Sequence, residues 1–177
     1  DESAHRINKL HEVINGKDEI TGGYYDALDQ EQLLWVHACL QISSIYFYEM
    51  TVKQLSEKDK NQYHLENMKA AELVLVDKEK MPKTHNELKD WVIEKSREDG
   101  YLVATDVAND VKDIIGGGPV PKHIKPIWPF IAFTAFNTLP KEFKDIYGIK
   151  DSKTKSFILG LNLKFLKYSR PFLPPFF

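Results

Sequence analysis

Two of the six histidines lie on apolar faces of predicted helices, His11 near the start of the chain and His37 further on. Their apolar neighbours recur at three- and four-residue spacing: Ile7 and Ile14 beside His11, and Leu33, Leu34 and Leu40 beside His37. A buried imidazole needs a hydrogen bond or a metal, because an unsatisfied buried polar group costs roughly 1 to 3 kcal/mol. Spacing alone favours a hydrogen-bonded core histidine at each position and leaves the ligand role open.

The other candidate side chains carry weaker signals. His5, His64, His85 and His123 lie among polar residues or at a predicted helix start, so we expect them to be solvated or capping. Cys39 is the only cysteine, which excludes an intrachain disulfide and a cysteine-based zinc site. Because it lies within an amphipathic helix, we interpret it as core packing and not as a nucleophile.

Composition predicts one globular domain over residues 1–177. The chain is 42% hydrophobic and 12% aromatic, with a formal net charge of −2, which excludes a disordered segment. Its lysines are interspersed with acids, which argues against a nucleic-acid partner. The longest apolar stretches, 127–136 and 157–166, fall short of the roughly 18 to 20 residues of a spanning helix. We therefore predict no transmembrane helix or signal peptide in these residues, and localisation stays open.

Helical periodicity and capping signals cover most of the chain. They predict helices over residues 4–15, 29–53, 56–76, 84–100, 106–115, 129–138, 140–147 and 153–168. No stretch shows the sustained alternation of a strand. The glycines at 116–118 lack both the preceding strand and the following lysine of a phosphate loop. The predicted fold is all-α, a multi-helix globular bundle.

Three blocks of the first forty residues resemble a known family: 6–16 (RINKLHEVING), 23–29 (GYYDALD) and 34–40 (LWVHACL). The pattern continues at Tyr63, Met81-Pro82, Leu139-Pro140, Tyr147-Gly148 and Arg170-Pro171. In order and spacing these blocks are similar to the rubber oxygenase and ER-bound oxygenase catalytic domain, a family that includes latex clearing protein.

This resemblance implies an all-helical domain that holds haem b, with His11 as the axial iron ligand. It implies an oxygenase that acts on a lipophilic unsaturated substrate, such as a polyisoprenoid or farnesyl-type chain. His37 is also a family position, for which pocket support by hydrogen bonding and plain core packing remain alternatives. The aromatic residues of helix 29–53 are candidates for lining the pocket. No further catalytic residue is assigned.

Two departures from the family pattern shape the remaining expectations. Cys39 stands where the family usually has a small hydroxyl residue. Family members also carry an upstream helical segment that faces the haem, whereas this chain begins ten residues before His11. We therefore expect residues 1–177 to be the C-terminal part of a longer oxygenase-type domain, partnered by an upstream segment or fragment of the same precursor.

A second hypothesis belongs to a different class of protein. A haem-free helical module with the same apolar pocket would bind a hydrophobic small molecule or a partner protein. The aromatic and proline-rich tail, residues 168–177, is expected to pack on its own domain, with membrane association as the alternative.

Overall fold

A computed structural model describes residues 2–17, 22–98 and 100–169. These contain eight α-helices, one short 3-10 helix and one two-stranded sheet. In chain order they are α1 (Glu2–His11), β1 (Asn15–Lys17), β2 (Tyr24–Asp26), α2 (Gln30–Thr51), α3 (Glu57–Leu73), the 3-10 helix (Lys78–Lys80), α4 (His85–Arg97), α5 (Asp106–Gly117), α6 (Trp128–Thr138), α7 (Lys141–Ile146) and α8 (Lys153–Ser169). The prediction of an all-α fold with eight helices is confirmed. The expectation that the tail packs on its own domain concerns residues 170–177 for the most part, and these lie outside the described residues.

The first helix is shorter than its sequence pattern predicts, and a small sheet follows it. The prediction that this helix reaches residue 15 is wrong, because α1 ends at His11 and Asn15–Lys17 pairs antiparallel with Tyr24–Asp26. Pairing with a second strand outweighs the local helical pattern here. Strands of three residues are too short to show an alternating pattern in the sequence.

The chain divides into two compact units. One comprises Asp1–Glu49 and Gln54–Lys95, and the other comprises Met50–Lys53 and Ser96–Phe177. The core of the first unit is built from α2, α3, the following loop and α4, and its fully buried members include Ala38, Ala71 and Leu88. Trp35 and Trp91 pack against this core with ring centroids 6.1 Å apart. This packing positions the side chains on the inner faces of α2 and α3.

Predicted capping residues begin three of these helices. Asp29, Ser56 and Thr84 each accept a hydrogen bond from the backbone nitrogen three residues later. The distances to the nitrogens of Gln32, Asp59 and Glu87 are 2.9, 3.1 and 3.2 Å. Such bonds satisfy backbone donors that have no partner within the helix, and so they fix where α2, α3 and α4 start.

The end of α3 has an unusual residue in its turn. The backbone nitrogen of Val76 donates to the carbonyl of Ala71 at 3.0 Å, the long-range bond of a Schellman turn. Leu75 precedes it with a φ of 66°, in the left-handed region that glycine normally occupies. A leucine held there stores backbone strain.

In the second unit, α6 packs against both α5 and α8. The indole nitrogen of Trp128 donates to the carbonyl of Ile115 at 2.9 Å. The amide of Asn162 donates to the hydroxyl of Thr134 at 3.1 Å. The first bond joins α6 to α5, and the second sets which face of α8 is turned toward α6.

Candidate functional site

His11 is the last residue of α1 and is half-buried. The helix is held to the end of α3, where the Asn8 amide donates to the Leu73 carbonyl at 2.9 Å. The ring nitrogen Nδ1 of His11 is buried and has no hydrogen-bond partner. Ile7 and Leu10, on the same helix, are exposed. The imidazole thus stands beside an uncovered apolar face with an unpaired nitrogen.

His37 lies in the first half of α2 and is also half-buried. Its Nε2 is buried and has no hydrogen-bond partner. Burial lowers the pKa of His37 below its usual value, and the nearby His64 lowers it further, while a backbone hydrogen bond with Asn67 opposes the shift. The ring is therefore held neutral near pH 7, and one of its nitrogens keeps a free lone pair or proton.

His64 of α3 is fully buried, so the expectation that it is solvated is wrong. Its Nε2 lies 2.8 Å from the carbonyl oxygen of Pro82, and its Nδ1 lies 2.8 Å from the amide nitrogen of Gln41. A carbonyl only accepts, so Nε2 carries the proton and Nδ1 accepts from the amide. This leaves Oε1 of Gln41 buried and unpaired.

His85, the first residue of α4, is likewise buried, so the expectation that it is solvated is wrong. Its backbone nitrogen donates to the side-chain oxygen of Asn61 at 2.9 Å, while its ring Nδ1 is buried without a partner. Burial lowers the pKa of His85, and the charges of Lys60 and His64 lower it further against the opposing effect of Glu57.

The structure thus brings together three histidines that sequence reasoning had separated. His37, Gln41, His64 and His85 form a polar group inside the first unit, and we call this group the histidine cluster. A periodic signal for two of its members was present in the sequence: His64 is followed by Met68 and Ala71, and His85 by Leu88 and Val92, at helical spacing. The many polar and charged residues elsewhere in both segments obscured that signal.

His11 lies on a separate helix from the members of the histidine cluster. Within residues 2–17, 22–98 and 100–169, no group of three or more histidine, cysteine or acidic side chains is placed to hold a metal ion. A haem supplies four nitrogens of its own to its iron, so a single protein side chain, and not such a group, would be enough to hold it. His11, His37 and His85 each offer a buried, unpaired ring nitrogen and fit that requirement, and of these the family resemblance selects His11. His64 does not fit, because both of its ring nitrogens are engaged.

A cavity of about 390 Å³ opens between the second half of α2 and the first half of α3. Its walls include Ser44, Ile45 and Tyr48 from α2, and Gln62 and Tyr63 from α3. Neither His11 nor His37 lines it, and Tyr48 is the one aromatic residue of α2 that does.

Cys39 lies on α2 and has the properties of a packing residue. Burial raises the pKa of its thiol to about 11, so the side chain is protonated at neutral pH. A thiol in that state is a poor nucleophile.

Three comparisons with known proteins complete the description. A family profile described as "ER-bound oxygenase mpaB/B'/Rubber oxygenase, catalytic domain" matches residues 1–167. No curated protein and no solved structure matches the chain. Among the helices of the described ranges, none is both long enough and apolar enough to cross a bilayer. The match spans nearly the whole sequence, and the chain therefore belongs to the ER-bound oxygenase and rubber oxygenase catalytic-domain family.

Proposed function

We propose that the protein is a haem b-dependent oxygenase that acts on a lipophilic unsaturated, isoprenoid-type substrate. The observation that carries this proposal is the buried, unpaired Nδ1 of His11 in a chain of the oxygenase family. A histidine with a free nitrogen at the end of a helix suits axial ligation of haem iron. When bound, the haem would supply dioxygen binding and activation for oxidative cleavage of a carbon–carbon double bond.

The chain's own residues would bind and orient these components. His11 would hold the iron, and the hydrogen bond from Asn8 to the Leu73 carbonyl would keep α1 in place. The exposed side chains of Ile7 and Leu10 would contact the apolar haem edge or the substrate chain and exclude water. His37, with its neutral ring and unpaired Nε2, would support the pocket through a hydrogen bond and would not ligate the iron.

The ligand assignment is tested by the visible absorption spectrum of the purified full chain after reconstitution with haem b. The unchanged protein should show an intense Soret band. His11→Ala should abolish or greatly weaken haem retention, while His37→Ala should keep the band and lower stability or activity. His123→Ala, at an exposed histidine, is the matched control and should bind haem as the unchanged protein does. A full Soret band in His11→Ala together with its loss in His37→Ala would exchange the two roles.

Substrate class is tested separately with the haem-loaded chain. Squalene or a short polyisoprene, incubated with dioxygen, should give carbonyl-ended fragments that hydrazine derivatisation and mass spectrometry detect. A saturated hydrocarbon of equal length should give none. Haem binding without any such product would retain the cofactor proposal and reject this substrate class.

A haem-free binding module is the alternative, and one observation favours it. Large apolar side chains are exposed on several helices, including Val36 and Leu40 on α2 and Val107 and Val111 on α5. Extended apolar surface of this kind marks binding to a partner or ligand. Absence of a Soret band under every reconstitution condition, with cooperative unfolding intact, would support this alternative over the oxygenase.

A further inference from the structure

The last helix, α8, has two unlike faces. One face is turned toward α6, to which it is joined by the bond from Asn162 to Thr134. The opposite face carries large apolar side chains at helical spacing that remain exposed. They are Phe157, Leu161 and Tyr168, with 68, 50 and 69% of their surface accessible. Phe165 is also exposed, but its ring packs edge-on against Phe130 of α6 with centroids 5.8 Å apart, so it does not belong to this face.

Positive charge accompanies this apolar face. Lys153, Lys164 and Lys167 are all exposed, and the helical spacing places Lys153 and Lys164 one to two turns from Phe157 on the same side. No acidic residue follows Asp151 in the sequence. The residues after α8 add one arginine and three phenylalanines. Exposed aromatics bordered by lysines alone are typical of helices that lie in a membrane interface.

We propose that the outer face of α8 docks on the surface of an anionic lipid bilayer. Phe157, Leu161 and Tyr168 enter the boundary between headgroups and acyl chains, and the three lysines contact anionic headgroups. This inference is independent of haem content and of the substrate proposal.

The charges favour this occupant over a second copy of the chain. A two-fold symmetric contact through α8 would set the same patch against itself and bring three lysines from each copy together. Like charges in such a contact are repulsive.

The neighbouring exposed apolar row on α5 gives a contrast within the same unit. Val107, Val111 and Ile114 are exposed, but Asp106 and Asp110 lie on the same helix. Acidic side chains would repel an anionic surface, so the charge pattern assigns the lipid contact to α8 and not to α5.

Vesicle flotation of the full chain tests the proposal. Vesicles of phosphatidylcholine with about 30% phosphatidylserine should bind the chain at least tenfold more tightly than pure phosphatidylcholine, since each lysine near such a surface contributes about fivefold. The triple variant Lys153→Gln/Lys164→Gln/Lys167→Gln should lose this preference. The double variant Phe157→Ser/Leu161→Ser should weaken binding to the anionic vesicles at least tenfold.

Matched variants elsewhere provide the controls. Lys58→Gln/Lys69→Gln/Lys83→Gln removes the same charge from exposed positions of the first unit, and Val107→Ser/Val111→Ser removes exposed apolar side chains from α5. Both should bind as the unchanged chain does, with circular dichroism showing that every variant is folded. Equal loss in the controls overturns the assignment to α8. Absence of vesicle binding overturns the lipid proposal itself. The same holds if the chain does not bind vesicles but forms a concentration-dependent dimer that Phe157→Ser/Leu161→Ser disperses.

Discussion

The side-chain amide nitrogen of Gln41 lies 2.8 Å from Nδ1 of His64, and the two residues are 1% and 0% exposed. This pair joins α2 to α3 inside the first unit. The other ring nitrogen of His64 donates to the carbonyl of Pro82, just before α4. A buried hydrogen-bonded pair of this kind fixes one arrangement of the surrounding helices, because any shift leaves polar groups unpaired.

Breaking this hydrogen bond should therefore lower the free energy of unfolding by more than the lost packing of either side chain would. Gln41→Leu and His64→Leu should each lower the free energy of unfolding by about 1 to 3 kcal/mol, since each leaves its partner buried and unpaired. The double variant should cost less than the sum of the two, by about 0.5 to 3 kcal/mol. Urea unfolding measures all three. The exposed pair Gln62 and Glu66, joined at 2.8 Å, is the control and should show weak coupling.

Stability should fall in mildly acidic solution because of two members of the histidine cluster. The pKa values of His37 and His85 are lowered in the folded chain from an ordinary 6.5, chiefly by burial. Above pH 6.5 their contribution to stability is fully present. As the pH falls below that value, the unfolded chain takes up protons that the folded chain excludes, and the free energy of unfolding decreases.

Urea unfolding at about pH 7.5 and about pH 5.5 checks this dependence. The double variant His37→Gln/His85→Gln should flatten it, whereas His123→Gln, at an exposed histidine, should leave it unchanged. A pH dependence that is identical in all three proteins would mean that other groups control acid stability.

Sequence patterns predicted the helices well because each one carries a local signal. Periodicity and side-chain caps such as Ser56 and Thr84 act within a few residues of the chain. The paired strands Asn15–Lys17 and Tyr24–Asp26 are too short to carry an alternating pattern. The histidine cluster arises from contacts between segments that are distant in the sequence, which no local pattern encodes. His64 in particular is fully buried, and the partners of its ring nitrogens, Gln41 and Pro82, lie 23 and 18 residues away in the sequence.

The candidate site, too, was only partly predictable from the sequence. Block similarity selected His11 and His37, and the structure adds that each has an unpaired buried ring nitrogen. Their half-buried state was not predictable, because apolar spacing alone indicates a face and not whether anything covers it. In α1 that face is exposed, as Leu10 shows.

Because the turn after α3 is strained, we expect glycine to give a more stable protein than alanine at position 75, the reverse of their usual order within a helix. At Leu75, with a φ of 66°, Leu75→Gly should be more stable than Leu75→Ala by about 1 kcal/mol, because both remove the same side chain but only alanine keeps the steric conflict. At Ala70, exposed within α3, Ala70→Gly should instead lower the free energy of unfolding by about 1 kcal/mol. Thermal or urea unfolding distinguishes the two positions. The normal order at both would show that residue 75 does not retain its left-handed conformation.

Cys39 should be chemically inert in the folded protein. Burial raises its thiol pKa to about 11 from 9.0, so at any pH well below 9 the thiolate fraction is about a hundredfold smaller than in an exposed cysteine. Iodoacetamide at about pH 8, followed by intact mass, should label the native chain at least a hundredfold more slowly than the same chain in urea. Cys39→Ser removes the labelled site and identifies any background. Equal labelling rates in the folded and unfolded chain would place the thiol at an accessible, polar position, and would reopen its role as a nucleophile.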